Sequence, residues 1–185
     1  LPALHRHQVV GGGRRAQRCP VCGSGDRERL LCLFLRHRTP VFRAALRLLH
    51  VAPERRLFPL LARRPTLHYV TADLAAGRAM VRLDVTALPF PAAHFDAVVC
   101  NHVLEHVVDD GQAMRELFRV LASGGWAVLQ VPISRSLART LEDPTIVGER
   151  EREAAYGQAD HVRIYTAADF QSRLQQLPPC KDSIV

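Results

Sequence analysis

Long apolar runs are missing from this 185-residue chain, and none approaches the roughly 20 residues that a membrane-spanning helix needs. No amino-terminal signal segment is present either, and the chain opens at Leu1 rather than methionine, which points to a fragment. Lysine is nearly absent: of 25 basic residues only Lys181 is lysine, and the arginines run from Arg6 to Arg173 without a cluster. A nucleic-acid binder of net charge +7 would gather that charge on one face and mix in lysine and aromatic residues, yet aromatics make up 6% here. The arginine excess therefore reads as coding composition, and nucleic acid is not the expected partner. The five cysteines lack the spacing of a disulfide framework, so a reducing, cytoplasmic setting is expected. Nothing in the pattern speaks to oligomeric state.

What the chain does have is a hydrophobic content of 48%, enough for one ordinary core. Its clearest stretch is Phe95 to Pro132. Ala97 to Cys100 has the length and β-branched content of a buried strand. Asp109 stands three residues before Gln112, a pattern suited to capping a helix, and Met114, Leu117, Phe118 and Leu121 follow at helical spacing. Gly124 and Gly125 can take the left-handed conformation that ends a helix, which predicts that the helix stops there and that a strand spans Trp126 to Val131. Strand, helix and strand at this length form a right-handed crossover joining two parallel strands.

Three earlier strands are predicted at Arg47 to Ala52, Leu67 to Ala72 and Met80 to Leu83, with a helix at Arg27 to Arg38 and a weaker one beginning near Phe58. Alternating strands and helical crossovers give an α/β fold with a Rossmann-like, open, mostly parallel sheet, in which ligands sit beyond the carboxyl ends of the strands. Glu54, Asp73 and Asp84 each fall at or just after such an end. A carboxylate about 20 residues after the first turn is placed to accept from both hydroxyls of a ribose, although a carboxylate in a loop also commonly caps its own turn. Ahead of the sheet, Cys19-Pro20-Val21-Cys22-Gly23 has the form of a zinc knuckle. Tetrahedral zinc needs two more ligands, for which His5 and His7 are the nearby substitutes, and two thiols without metal is the other reading.

The stretches LPFPAAHFDAVVCNHVLEHVVDD and AMRELFRVLASGGWAVLQVP resemble class I S-adenosylmethionine-dependent methyltransferases of the small-molecule branch known as type 11. With CPVCGSGDRERLL, LHVAPE, EDPTIV and GQADHVRIY added, the resemblance extends to a bacterial subgroup carrying an amino-terminal zinc-ribbon-like segment, and covers about residues 19 to 174. It implies a flexible tail and partial knuckle over 1–26, a methyltransferase domain over 27–177 and a disordered or divergent tail over 178–185. The implied cofactor is S-adenosyl-L-methionine, with zinc at Cys19 and Cys22 as a second candidate, and the implied substrate is a small metabolite or glycan precursor. Asp73 would hold the ribose, Asp84 and the Val85 backbone the adenine, and Asn101 and His102 would lie near the sulfonium; His106 belongs to the Leu-Glu-His signature.

Two departures stand out. His50-Val51-Ala52-Pro53-Glu54 replaces the glycine-rich first turn of the family, so His50, Ala52 and Glu54 stand where the backbone would approach the cofactor. The family's final hairpin is not recognisable, which predicts an uncovered edge at strand five. His102, His106 and His161 are the candidate catalytic bases. The segment Gly157 to Tyr165 either lines the substrate pocket or is an exposed loop. The alternative to an enzyme is a zinc-knuckle or nucleoside-binding module on a degenerate scaffold.

Overall fold

The structure is a computed structural model that describes residues 18–177. His5 and His7, and the tail over 178–185, lie outside the described residues. The described chain forms two compact units: one runs up to Ala45 and includes Glu54–His68, and the other comprises Leu46–Pro53 and everything from Tyr69 onward.

The first unit holds helix α1 (Asp26–Arg38) and the short helix α2 (Phe58–Ala62). Acidic Asp26 and Glu28 in the first turn of α1 and Arg36 and Arg38 in its last turn complement the helix dipole, and Leu31 and Leu35 are fully buried. Pro59 stands in the first turn of α2, where its missing N–H costs nothing.

The second unit is organised on a five-stranded sheet of β1 (Leu46–Val51), β2 (Leu67–Asp73), β3 (Val81–Arg82), β4 (Phe95–Asn101) and β5 (Leu121–Gln130), in the order β3-β2-β1-β4-β5. β1 pairs parallel with β4, β4 with β5, and β2 with β3. Strand β4 lies inside the sheet, between β1 and β5, and its Ala97, Val98, Val99 and Cys100, apolar on both faces, are all fully buried. The order reverses between β1 and β4, so the carboxyl ends of these two strands flank the crevice in which such sheets take ligands.

Helix α3 (Asp110–Val120) begins as expected, the Asp109 carboxylate accepting from the Gln112 N–H at 2.8 Å. Its buried stripe is Ala113, Met114, Leu117 and Val120, whereas Phe118 and Leu121 are only half-buried. The helix ends at Val120, four residues before the predicted glycine stop. Gly124 and Gly125 instead lie within β5, where Phe95 pairs with Leu121 and Ala97 with Trp126, so the segment 122–125 bulges opposite the single residue Asp96. Gly124 supplies a φ of 75° and Gly125 the room for close approach, since a Cβ there would stand 2.8 Å from the Asp96 carbonyl oxygen.

Beyond β5 come β6 (Leu141–Glu142), α4 (Glu149–Tyr156), β7 (Arg163–Ile164) and α5 (Ala167–Gln175). β6 and β7 pair antiparallel in a separate small sheet. The continuation of β5 meets Tyr165 through an isolated bridge at Ile133, and Ser134 N–H donates to the Tyr165 carbonyl at 2.8 Å.

Candidate active site

The two central strands leave the sheet through residues with left-handed backbone. Ala52, just past β1, has φ 49°, and His102, just past β4, has φ 53°. Each conformation costs an L-residue on the order of 1 kcal/mol or more, and non-glycine outliers of this kind concentrate at functional sites. Neighbouring backbone holds them: Ala52 N–H donates to the Ala72 carbonyl at 2.7 Å, and His102 N–H to that of Gln130 at 2.8 Å. Ala52 thus adopts a backbone conformation more usual for glycine. His50 is wholly buried, its Nδ1 2.8 Å from the Tyr69 hydroxyl, so its imidazole is committed within the sheet.

The carboxylates beside this crevice are close neighbours. Asp73 ends β2 in register with Arg82, its carbonyl accepts from Leu83 N–H at 3.1 Å, and Asp84 follows directly. Asp73 Oδ1 accepts from Ala75 N–H at 2.8 Å, and Asp84 Oδ1 accepts from the Thr86 N–H at 2.8 Å and hydroxyl at 2.7 Å. Both side chains therefore do cap their turns, but each does so through one oxygen only. Val85 is buried in the core, which leaves its backbone for any contact beyond the strand ends. Glu54 belongs to the first unit, where its carbonyl accepts from Leu57 and Phe58 N–H at 3.1 and 2.9 Å.

At the end of β4, buried Asn101 is followed by half-buried His102, and the chain enters a 3-10 turn, Leu104–His106. His102 Nδ1 lies 3.1 Å from Glu105 Oε1, and Glu105 is only 1% exposed. His106 Nδ1 faces Asp160, 3.2 Å from its carbonyl and 3.3 Å from Oδ2, and the His106 and His161 rings meet edge to face at 4.7 Å. Burial, and then the nearby His106 charge, hold the His161 pKa below its ordinary value, so this imidazole stays neutral more readily. All three candidate bases thus come together, and they surround Glu105, a residue that no periodicity singled out.

The segment from Gly157 to Tyr165 is exposed at Gly157, Gln158 and Asp160 and packs inward from His161 onward. Val162 N–H donates to the Glu105 carbonyl at 2.9 Å, and Arg163, 5% exposed, donates to the Leu104, Val107 and Val108 carbonyls at 3.0, 2.5 and 2.9 Å. A terminating turn leaves carbonyls such as those of Val107 and Val108 in need of donors, and a planar guanidinium can serve several at once. Arg163 also pairs with Glu142 at 2.9 Å, and Arg173 bridges Glu142 and Asp110.

In the first unit, Cys19 and Cys22 sit in a tight turn. Gly23, at φ 68°, donates to the Cys19 carbonyl at 2.7 Å, and Cys19 N–H donates to the Ser24 carbonyl at 2.8 Å. Hydrogen bonds from the Ser24 side chain and backbone hold the Cys22 thiol below its ordinary pKa. Among the described residues no third ligand group joins these two thiols.

Residues 61–129 match a family profile described as a methyltransferase domain. The chain is 32% identical over 109 residues to the 2-phytyl-1,4-naphtoquinone methyltransferase of Thermosynechococcus vestitus, covering 58% of this chain and 42% of that protein. It is 44% identical over 54 residues to the ubiquinone/menaquinone biosynthesis C-methyltransferase UbiE of Xanthomonas campestris pv. campestris, covering 29% and 21%. The chain thus spans less than half the length of these curated relatives. Among solved structures it is similar to an S-adenosylmethionine-dependent methyltransferase from Mesorhizobium loti (TM-score 0.56, 18% identity, 77% of each chain). It is also similar to the Burkholderia thailandensis 1,6-didemethyltoxoflavin-N1-methyltransferase bound to 1,6-didemethyltoxoflavin and S-adenosylhomocysteine (TM-score 0.55, 17% identity, 78% of this chain and 63% of that one). At such identities these likenesses speak to fold. The profile match takes in Asp73, Asp84, Asn101, His102, Glu105 and His106 but ends before His161. The chain therefore carries, over residues 61–129, the sequence pattern of a methyltransferase domain on a Rossmann-like methyltransferase fold.

Proposed function

We propose that this chain binds S-adenosyl-L-methionine over the carboxyl ends of β1, β2 and β4 and transfers its methyl group to a small-molecule acceptor. The observation that carries this reading is the place of Asp73 at the carboxyl end of β2, the strand beside β1: its Oδ1 is fixed by its own turn, so a ligand meeting Oδ2 finds a carboxylate with little freedom to lose. The residues fit the cofactor. Asp73 accepts from the ribose hydroxyls, Asp84 and the Val85 backbone meet the adenine edge, and the left-handed residues Ala52 and His102 follow the ends of β1 and β4 that flank the crevice. Asn101 and His102 face the sulfonium end.

When bound, the cofactor supplies an electrophilic methyl group on a sulfonium. The protein's own part is to align the acceptor for in-line displacement and to take up a proton where the acceptor carries one. His102, His106 and His161 stand on the acceptor side as candidate bases; burial lowers the His161 pKa, which keeps that imidazole neutral while making it a weaker base. The quinone-ring chemistry named for the curated relatives makes a planar ring compound the first acceptor class to try, with glycan precursors next. Calorimetric titration with S-adenosylmethionine and with S-adenosylhomocysteine tests the reading without knowledge of the acceptor. Saturable binding of both at one site per chain is expected, and a folded protein that binds neither refutes the proposal.

A further inference from the structure

Glu105 is an anomaly that the proposed methyl transfer does not use. Its side chain is 1% exposed, its Oε1 is held by His102, and its Oε2 is buried with no hydrogen-bond partner. Buried carboxylate oxygens are rarely left in that state, because the lost hydration is costly unless another group replaces it. Around it stand two imidazoles. One ligand atom each from Glu105, His106 and His161 lie within 4.8 Å of one another, and this is the one such group of three or more among the described residues.

We propose that Glu105, His106 and His161 form a binding site for a divalent transition-metal ion such as zinc. Two imidazole nitrogens and one carboxylate oxygen are a donor set for borderline ions rather than for magnesium or calcium, which prefer oxygen throughout. Three protein ligands leave further coordination positions open, the arrangement of a reactive rather than a purely structural site. The surroundings are those of supported ligands. Asp160 engages Nδ1 of His106 through both its carboxylate and its carbonyl, which orients the ring and fixes its tautomer. His102 holds the other oxygen of Glu105, and the bond from Val162 N–H to the Glu105 carbonyl ties the His161 segment to the turn that carries the other two ligands. An ion here would supply the positive charge that Oε2 lacks. An ion held there would occupy the ligating nitrogens of His106 and His161 and leave His102 as the candidate base for methyl transfer; the test of the site uses no cofactor.

The experiment is metal titration of chelator-stripped protein carrying Cys19→Ser and Cys22→Ser, so that the knuckle thiols contribute nothing. Cobalt(II) is followed by its visible spectrum and zinc by competition. The expected result is one ion per chain, a spectrum without thiolate charge transfer, and no displacement by magnesium or calcium. His161→Ala should weaken cobalt binding on the order of 100-fold or more. His106→Ala, whose ring is partly exposed, is the second variant should the first fail to fold by circular dichroism. Absence of stoichiometric binding, or unchanged affinity in a folded His161→Ala or His106→Ala protein, overturns the site.

Discussion

The Tyr165 hydroxyl donates to Asp110 Oδ2 at 2.6 Å, joining the residue after β7 to the first residue of α3 in a fully buried contact. Burial first, and then this bond to a carboxylate, push the phenol pKa far above its ordinary value, so Tyr165 remains a donor at any working pH. Arg173 reaches both oxygens of the same Asp110 at 2.9 Å, and Arg163 shares Glu142 with it. Through this network the segment 161–165 is locked against the turn that bears Glu105 and His106.

Arg163→Met should therefore be severely destabilising, by about 3–5 kcal/mol, because it removes a buried guanidinium from the network and takes the donor it supplies from the Val107 and Val108 carbonyls. Tyr165→Phe removes a single bond to a charged acceptor that Arg173 still serves, and should cost about 1.5–3 kcal/mol. Urea denaturation of both variants checks the order. An Arg163→Met midpoint equal to wild type would show that the network is decoration.

Asp73→Ala should weaken S-adenosylmethionine binding about 10- to 150-fold, since hydrogen bonds to a charged partner contribute about 1.5–3 kcal/mol. Asp84→Asn should be milder, because an amide oxygen can still accept from an amino group. Both variants also lose or weaken a turn cap, so melting curves on the titrated samples separate the effects. Lowered melting temperature with unchanged affinity would reduce both residues to loop caps.

Acid should act on the edge where Arg47 meets Asp96. Hydrogen bonds from the Arg47 side chain, then from its backbone N–H, hold the Asp96 carboxyl below its ordinary pKa, against partial burial. A carboxylate depressed in the folded state adds stability above its unfolded pKa of about 3.9, and that stability is lost as pH falls through the lower folded value. The stability gap between wild type and Asp96→Asn should thus be constant above about pH 5 and shrink as pH falls from about 4 toward 2. A gap that stays level over this range in denaturant titrations would mean that the pair is not linked to folding.

The bulge in β5 makes a prediction about two adjacent glycines. A methyl group at Gly124 meets nothing within 4 Å, so Gly124→Ala costs only the left-handed backbone, about 1–2 kcal/mol. At Gly125 a Cβ would stand 2.8 and 2.9 Å from two carbonyl oxygens, of Asp96 and Ala122, neither of which can swing aside. Gly125→Ala should be the worse of the two by chemical denaturation. The reverse order would place the strain in φ alone and not in the approach to β4.

The sequence by itself determined what repeats along the chain. The apolar run of β4, the helical spacing and Asp109 cap of α3, and the strand ends at Asp73 and before Asp84 were all legible, because a strand or helix writes its period into a few consecutive residues. The resemblance then pointed to Asp73, to Asp84 and to His106 of the Leu-Glu-His signature. Only the tertiary structure decided that Gly124 and Gly125 shape a bulge instead of ending a helix, since that depends on the Asp96 carbonyl of a neighbouring strand. It alone brought Asp160 to His106 across 54 residues and closed His161, Arg163 and Tyr165 over a buried Glu105. Contacts of that range leave no period in sequence: they are set by how a folded segment packs back on the sheet, and the polar residues that make them read, one by one, as an ordinary loop.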